Sequence, residues 1–349
     1  MILIRKVWVL PMGWLHQDRR RAFGLSGMRF ARRKFVQLGV TAISFFMLSS
    51  HGVWSQAART IKIVVPVSPG GALDAVARLL GEQIRQTQGQ AILVENRSGA
   101  GGMIAAEAVS RAAPDGNTLM MASPDLLATS YLRKLNYDLR FEPVCYLVSV
   151  PNVIAVNSAS SYRTLADLLD AARAKPGDLT LASVGPASSL QIAFEKLKRA
   201  AKVEMTFVSY PGGAPTINAL LGEHVTSALA SYSSLAEHLR SAKLRALAVA
   251  AKTRIEPLPD VPTVAESGYN DYQLDFWLGL VAPASTPKET TSRLAGRFTS
   301  AAQAPQVKAK LAAQGMYPAV TCGANFTAFL RMQYDDFGRV IQETNIKAE

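Results

Sequence analysis

The chain has 349 residues, of which 38 are lysine or arginine, 26 are aspartate or glutamate and 49% are hydrophobic. Nine of the basic residues and one acidic residue fall within residues 1–57, so the formal net charge of +12 drops to +4 for the remaining 292 residues. That remainder has no long run of like charge, which argues against a nucleic-acid surface. Its length is enough for two α/β domains with hydrophobic cores.

The N-terminal segment has the features of an export signal. Arg32, Arg33 and Lys34 precede the apolar stretch 35–50, and Ser55-Gln56-Ala57 matches the small-x-small pattern of a signal-peptidase site. We therefore expect residues 1–57 to be a signal peptide, preceded by a mis-assigned extension if Met28 is the true start, and the mature protein to be periplasmic. The arginine pair also resembles a twin-arginine motif, so the Sec and Tat export routes both stay open.

Short apolar strands alternate with helices along the rest of the chain. This alternation predicts an α/β fold in which mostly parallel sheets are flanked by helices. The last 60 residues are predicted to be mostly helical, with Pro287 at the first position of a helix. Thr164 and Asp167 form a candidate capping box for another helix. The predicted strands are 61–65, 92–94, 118–122, 153–156, 179–183, 205–208, 225–230 and 245–251.

The two cysteines of the chain, Cys145 and Cys322, allow two interpretations. In an oxidising compartment they can pair, and the disulfide would close a long loop of chain. Alternatively they are two unpaired, buried thiols. Sequence alone does not decide between these, and of the two we favour the free thiols.

Four predicted strands end in turns of small residues that lead into helices: 68–73, 123–125, 183–189 and 210–214. The first turn of a helix carries unpaired N–H groups and the positive end of the helix dipole, which suit a carboxylate or phosphate. One such turn is usually only a turn. Four of them at the carboxyl ends of strands, where open α/β sheets bind ligands, predict a shared cleft for a small anion.

Catalytic and cofactor motifs are largely missing from the sequence. The glycine-rich stretch 99–104 has Ile104 where a dinucleotide fingerprint needs its third glycine, and neither a P-loop nor a Gly-x-Ser-x-Gly elbow occurs. Outside the signal segment the histidines are His224 and His238, which we interpret as surface residues. We therefore expect no catalytic residue, cofactor or metal site.

Asp74 and Arg78 lie one turn apart on the helix whose apolar face contains Leu73, Val76 and Leu80. Asp74 either interacts with the dipole of its own helix or binds a ligand, in which case it would be the counter-charge for an amine. Arg78 either reinforces an anion site or is solvated, and we favour the solvated alternative.

Seven segments lie in order between residue 60 and about residue 345: 65–71, 94–102, 113–119, 210–215, 243–249, 258–266 and 279–289. Together they resemble, with high specificity, the Bug, or TctC-like, extracytoplasmic receptors of tripartite tricarboxylate transporters. Relatives commonly have Phe-Ala before Pro-Gly-Gly and Thr before the Asp, where this chain has Val67, Ser68 and Leu73. They also commonly have Asp or Asn where this chain has Ser231 and Tyr232. These departures predict a bulkier, more apolar cleft.

This resemblance implies a two-lobed periplasmic-binding-protein fold of type II that closes on its ligand like a flytrap. We place one lobe at residues 58–156 plus 282–349 and the other at 157–281. The ligand implied is a small carboxylate: a dicarboxylate, a tricarboxylate, an amino acid or an aromatic acid. The residues implied or inferred to bind it are Ser68, Gly70, Gly71, Ala72, Leu73, Asp74, Ser123, Ser183, Gly185, Ser188, Ser189, Tyr210 and Gly212.

The resemblance also implies partners. The receptor would be a monomer that hands its ligand to the membrane permease subunits of a tripartite tricarboxylate transporter. Alternatively, the closed form would dock on a membrane histidine kinase as a sensor. An extracytoplasmic enzyme on the same scaffold is the third interpretation, and the missing catalytic residues argue against it.

Overall fold

The computed structural model describes residues 60–133, 141–270, 272, 274, 276–344 and 346. The predicted signal peptide lies outside these residues. No helix within them is long and apolar enough to cross a membrane. The strands are β1 (Ile61–Val65), β2 (Ile92–Asn96), β3 (Thr118–Ala122), β4 (Phe141–Ser149), β5 (Asn152–Asn157), β6 (Thr180–Val184), β7 (Thr206–Tyr210), β8 (Ser227–Ser231), β9 (Leu244–Ala250), β10 (Trp277–Pro283) and β11 (Tyr317–Cys322).

The helices pack around two separate sheets. All eight predicted strands are confirmed to within about two residues at each end. Three strands, β4, β10 and β11, are absent from the predicted set, and β11 interrupts the C-terminal region that was expected to be mostly helical. The helices are α1 (Ala72–Gln88), α2 (Met103–Ser110), α3 (Pro124–Leu132), α4 (Leu165–Ala174), α5 (Ser189–Ala201), α6 (Gly213–Leu221), α7 (Tyr232–Arg240), α8 (Lys288–Gln303), α9 (Pro305–Ala313) and α10 (Gly323–Thr344).

The first sheet has the strand order β11-β4-β10-β3-β1-β2. Strand β1 is parallel to β2 and β3, whereas β10 is antiparallel to β3 and β4, and β11 is antiparallel to β4. The second sheet has the order β7-β6-β8-β5-β9, with β6 parallel to β7 and β8 and β5 antiparallel to β8 and β9. The two-lobed α/β fold is confirmed, but each sheet is mixed rather than mostly parallel.

The chain changes sheet at two points among the described residues. It leaves the first sheet after β4 and enters the second with β5, so the change falls between Ser149 and Asn152, earlier than the predicted boundary at 156. It returns with β10, which begins at Trp277, earlier than the predicted boundary at 281. Each boundary differs because the apolar strand at the crossing belongs wholly to the sheet that the chain is entering.

Local signals in the sequence explain several helix starts. Leu73, Val76, Ala77, Leu80 and Ile84 are buried along one face of α1, as their spacing predicts. The capping box at the start of α4 is confirmed: the Thr164 hydroxyl accepts from the Asp167 N–H, and the Asp167 carboxylate accepts from the Thr164 N–H. Pro287 is the N-cap of α8 and not its first helical residue.

A disulfide joins Cys145 in β4 to Cys322 in β11. The preference for free thiols is therefore wrong. The reason is that β11, which was not predicted, pairs with β4 and places Cys322 directly opposite Cys145. The bond spans 177 positions of the sequence, and the whole second sheet lies between its two ends.

The C-terminal helix α10 connects the two lobes. It follows directly after β11 of the first sheet and packs against both α3 and α5. Ala128 of α3, Ile192 of α5 and Phe337 of α10 belong to one buried cluster, with Val340 and Ile341. Lys196 of α5 also forms an ion pair with Asp336 of α10 at 2.5 Å. The helix thus packs against one helix from each lobe and links the two lobes.

Candidate functional site

A cleft separates the two lobes and divides into two adjoining cavities. The first chamber has a volume of about 530 Å³ and includes Ser68, Ser123, Arg133 and Gly185 in its lining. The second chamber has a volume of about 760 Å³ and is lined by residues that include 70–72, 213–214 and 231. Four residues line both chambers and form the wall between them: Leu73, Asp125, Val184 and Ser188.

Two helices from opposite lobes begin at the second chamber. Their N-caps are Gly71 for α1 and Gly212 for α6, and neither helix has a side-chain cap. The N–H groups of their first turns are left for water or a ligand, and both helix dipoles present their positive ends there. The Ser231 hydroxyl, with the Ser233 and Ser234 hydroxyls within 3.1 Å of it, adds further hydrogen-bonding groups.

The turn before α1 is held in place by Asp74. This buried carboxylate accepts hydrogen bonds from the Gly70 N–H at 3.0 Å and from the Asn96 side-chain amide at 2.9 Å, and it forms an ion pair with Arg78 at 2.9 Å. The Arg78 guanidinium is the main cause that lowers the pKa of Asp74 to about 2, against the opposing effect of burial. Gly70 has a φ of +94°, a left-handed conformation that favours glycine.

Asp74 therefore lies behind the cleft and does not line either chamber. Arg78 is not simply solvated, as the sequence suggested, since it pairs with Asp74 and donates to the Asn96 side-chain oxygen at 2.9 Å. Both residues shape the turn that exposes the start of α1. The prediction that Asp74 would be the counter-charge for a ligand amine has no support in this geometry.

The charged side chain in the wall between the two chambers is Asp125, in the first turn of α3. Its Oδ1 accepts from the Ser189 N–H at 3.0 Å and from the Ser189 hydroxyl at 2.7 Å. Ser189 is the first residue of α5 in the other lobe, so this carboxylate joins the two lobes across the cleft. Asp125 lies in the candidate turn 123–125 but is not among the predicted binding residues. Its acidic position in the first turn of a helix that begins at a strand end was the available signal.

The predicted binding residues divide into two groups. Buried Ser183 donates from its hydroxyl to the Leu229 carbonyl at 2.7 Å, and the Tyr210 carbonyl accepts from the Gly185 N–H at 3.0 Å. Five of the predicted residues support the loops without lining a chamber: Asp74, Ser183, Ser189, Tyr210 and Gly212, the N-cap of α6. The predicted residues that do line the chambers are Ser68, Gly70, Gly71, Ala72, Leu73, Ser123, Gly185 and Ser188.

The two histidines within the described residues are away from the cleft. His224 is exposed in the turn after α6 and His238 lies on α7, and neither lines a chamber. Within the described ranges, no group of histidine, cysteine, aspartate and glutamate side chains is arranged to hold a metal ion.

Two α/β lobes with helix N-termini facing a common cleft define the class of bilobal solute-binding proteins. Residues 76–346 match the family model described as "Tripartite tricarboxylate transporter family receptor", TctC. The protein BugT of Bordetella pertussis is 31% identical over 297 residues, which cover 83% of this chain and 90% of BugT.

Solved structures agree with this relationship. The structure described as R. palustris Rpa4515 with adipate is 29% identical, covers 84% of this chain and 99% of its own, and has a TM-score of 0.73. The structure of MatC (Rpa3494) from Rhodopseudomonas palustris with bound malate is 29% identical, covers 82% of this chain and 99% of its own, and has a TM-score of 0.68. The chain belongs to the TctC family and is a periplasmic solute-binding receptor of the Bug type.

Proposed function

We propose that this receptor captures a small organic acid in the cleft between its lobes and delivers it to the permease of a tripartite tricarboxylate transporter. The observation that carries the proposal is the pair of uncapped helix starts, α1 in one lobe and α6 in the other, that line the second chamber. A carboxylate between them would accept charge-assisted hydrogen bonds from main-chain N–H groups on both sides.

Such a ligand would favour the closed arrangement of the lobes. Hinge closure follows when a ligand binds the closed state more tightly than the open one, and a carboxylate that touches both lobes meets that requirement. Two related structures support an acid as the ligand class, since their descriptions name adipate and malate. The role we propose is binding and transfer without a chemical step.

The proposal is tested by a thermal-shift screen of protein purified from cells that express the full chain. The panel consists of mono-, di- and tricarboxylates, amino acids and aromatic acids. An acid at a hundred times its dissociation constant should stabilise the protein by about 2.7 kcal/mol and raise the Tm by several degrees. A flat response to the whole panel would contradict the proposal.

The site of binding is tested with Ala72→Pro. Ala72 is the first residue of α1, where proline is tolerated but removes one N–H from the second chamber. We expect Kd to rise about tenfold or more, since hydrogen bonds to charged groups contribute about 1.5–3 kcal/mol. Ala72→Ser keeps that N–H and is the matched control. Unchanged affinity in Ala72→Pro would show that the acid is not held by α1.

Delivery to a permease is a separate part of the proposal. It predicts that uptake of the identified acid depends on this receptor and on permease subunits together. Deleting either gene should abolish uptake to the same extent. Uptake that persists without the receptor would contradict delivery and leave binding intact.

A further inference from the structure

The wall between the two chambers contains a carboxylate that bonds the opposite lobe. Asp125 lines both chambers, and its Oδ1 holds the Ser189 N–H and hydroxyl at 3.0 and 2.7 Å. Helix α5 has its own N-cap, Ser188, whose side chain accepts from the Gln191 N–H. Two N–H groups in the first turn of α5, those of Ser189 and Gln191, are therefore already bonded by the protein itself, one from each lobe.

The bond that Asp125 accepts from the first N–H group of α5 distinguishes this helix from α1 and α6. Those two helices begin with glycine N-caps that have no side-chain partner, so their N–H groups are available to a ligand in the second chamber. At α5 the negative charge that a helix N-terminus attracts is supplied by Asp125. A ligand anion would have to displace this carboxylate to accept from the Ser189 N–H or hydroxyl.

The described lining of the second chamber contains no positive side chain to offset the negative charge of Asp125. Among the described residues that line the second chamber, Asp125 is the charged side chain, and its Oδ2 takes no hydrogen bond from another described residue. Arg133 is the charged residue of opposite sign in the cleft, but it lines the first chamber alone. A second carboxylate in the second chamber would face Asp125 without a cation in the lining to offset the repulsion.

We propose that Asp125 is a specificity-determining residue that makes this receptor select monocarboxylates over dicarboxylates. The inference rests on the proposed function and deepens it. The acid is anchored by one carboxylate at the starts of α1 and α6, and its other end meets Asp125. That end is uncharged, or carries a hydroxyl or ammonium group that donates to Asp125 Oδ2.

The test compares acids of equal length that differ at the far end. Calorimetric titrations use two sets of acids. The shorter set consists of butyrate, γ-aminobutyrate and succinate, and the longer set consists of hexanoate, ε-aminohexanoate and adipate. In the wild-type protein, purified from cells expressing the full chain, we expect the best monocarboxylate of a set to bind at least about tenfold tighter than its dicarboxylate. In Asp125→Asn, which keeps an oxygen for Ser189, this preference should fall about tenfold because dicarboxylate affinity rises.

The control is Asp170→Asn, which makes the same charge change on the exposed side of α4, where Asp170 pairs with Arg173. We expect its preference among the acids to equal that of the wild type. The preference of the wild type for monocarboxylates over dicarboxylates is itself a test that needs no variant. The proposal can therefore be contradicted even if Asp125→Asn fails to fold.

Three results would count against the inference. Dicarboxylates that bind the wild type as tightly as monocarboxylates would overturn it and leave the proposed function in place. An unchanged preference in a folded Asp125→Asn would do the same. No binding of any acid to either protein would overturn the proposed function, and this inference with it.

Discussion

At the scale of single residues, the same chemical group has different roles at two positions of the first lobe. Asp74 and Asp125 both lie in the first turn of a helix that follows a strand end. Asp74 is buried and paired within its own lobe, so it shapes the Gly70 turn. Asp125 crosses to the other lobe, so it lies where a ligand would meet it. Sequence position alone does not separate these roles, because the difference depends on which partners the fold provides.

The Asp74 network makes stability depend on pH. Its pKa is lowered from 3.8 to about 2, first by the hydrogen bond from Arg78, and more protons bind the unfolded chain than the folded one between these values. The stabilisation by the ionised group is therefore fully present above about pH 4 and is lost as the pH falls toward 2.

We expect Asp74→Asn to lower the free energy of unfolding by about 1–2 kcal/mol at neutral pH, since Arg78 is half exposed and solvent weakens the pair. Urea unfolding at neutral pH and near pH 3 measures this, and the cost should shrink at the lower pH. Glu107→Gln, which breaks an exposed pair with Arg111, is the control and should cost about 0.5 kcal/mol or less. An equal cost for Asp74→Asn at both pH values would contradict the account.

At the scale of elements, the helix starts differ in how their first N–H groups are satisfied. Helix α4 is closed by its own Thr164 and Asp167, on an exposed part of the second lobe. Helices α1 and α6 have glycine N-caps without side-chain partners. Helix α5 receives Asp125 from the other lobe. The capped start serves stability, whereas the glycine starts leave room and hydrogen-bond donors for a ligand.

This difference predicts a stability effect without a binding effect. Thr164→Ala removes the hydroxyl that accepts from the Asp167 N–H and should cost about 1 kcal/mol of unfolding free energy. Thr164→Ser keeps a capping oxygen and should be close to the wild type. Chemical denaturation measures the cost, and titration with the acid found in the screen should give the same Kd for all three proteins. A changed Kd would show that α4 is coupled to the cleft.

Some elements of the fold are marked by local sequence signals, and others depend on contacts that are distant in sequence. Strands such as β1 and β3 were predicted because buried β-branched and aliphatic runs end at clear turn signals. Strand β11 was missed because Tyr317–Cys322 is half-buried and lies between helices, so its pairing with β4 depends on residues far away in sequence. The lining residues Gly70–Leu73 were predicted from their turn. The contact between Asp125 and Ser189 was not, because it exists only between two folded lobes.

At the scale of the whole molecule, the disulfide Cys145–Cys322 fixes the edge strand β11 to the first sheet, directly before helix α10. The loop that it closes is long, and on the entropic model the bond is worth about 5 kcal/mol. In a chain of this size each kcal/mol of stability corresponds to a few degrees of Tm, so we expect reduction to lower the Tm by about 10 °C.

Thermal unfolding with and without reductant measures this effect. The double variant Cys145→Ser and Cys322→Ser should unfold near the Tm of the reduced protein. It should also be insensitive to reductant, which separates loss of the bond from other effects of the reagent. The same Tm for oxidised and reduced wild type would contradict the stabilising role.

The position of β4 in the first sheet has a consequence for how the protein is assembled. Its neighbours are β10 and β11, which follow it in the chain by more than a hundred residues, whereas the strands of the second sheet are contiguous from β5 to β9. A chain that emerges from its N-terminus therefore presents β4 with both edges unpaired until the second lobe is complete. The lobe that begins first is finished last. Until then the unpaired edges of β4 are exposed, and this is the stage at which a chaperone would be most needed.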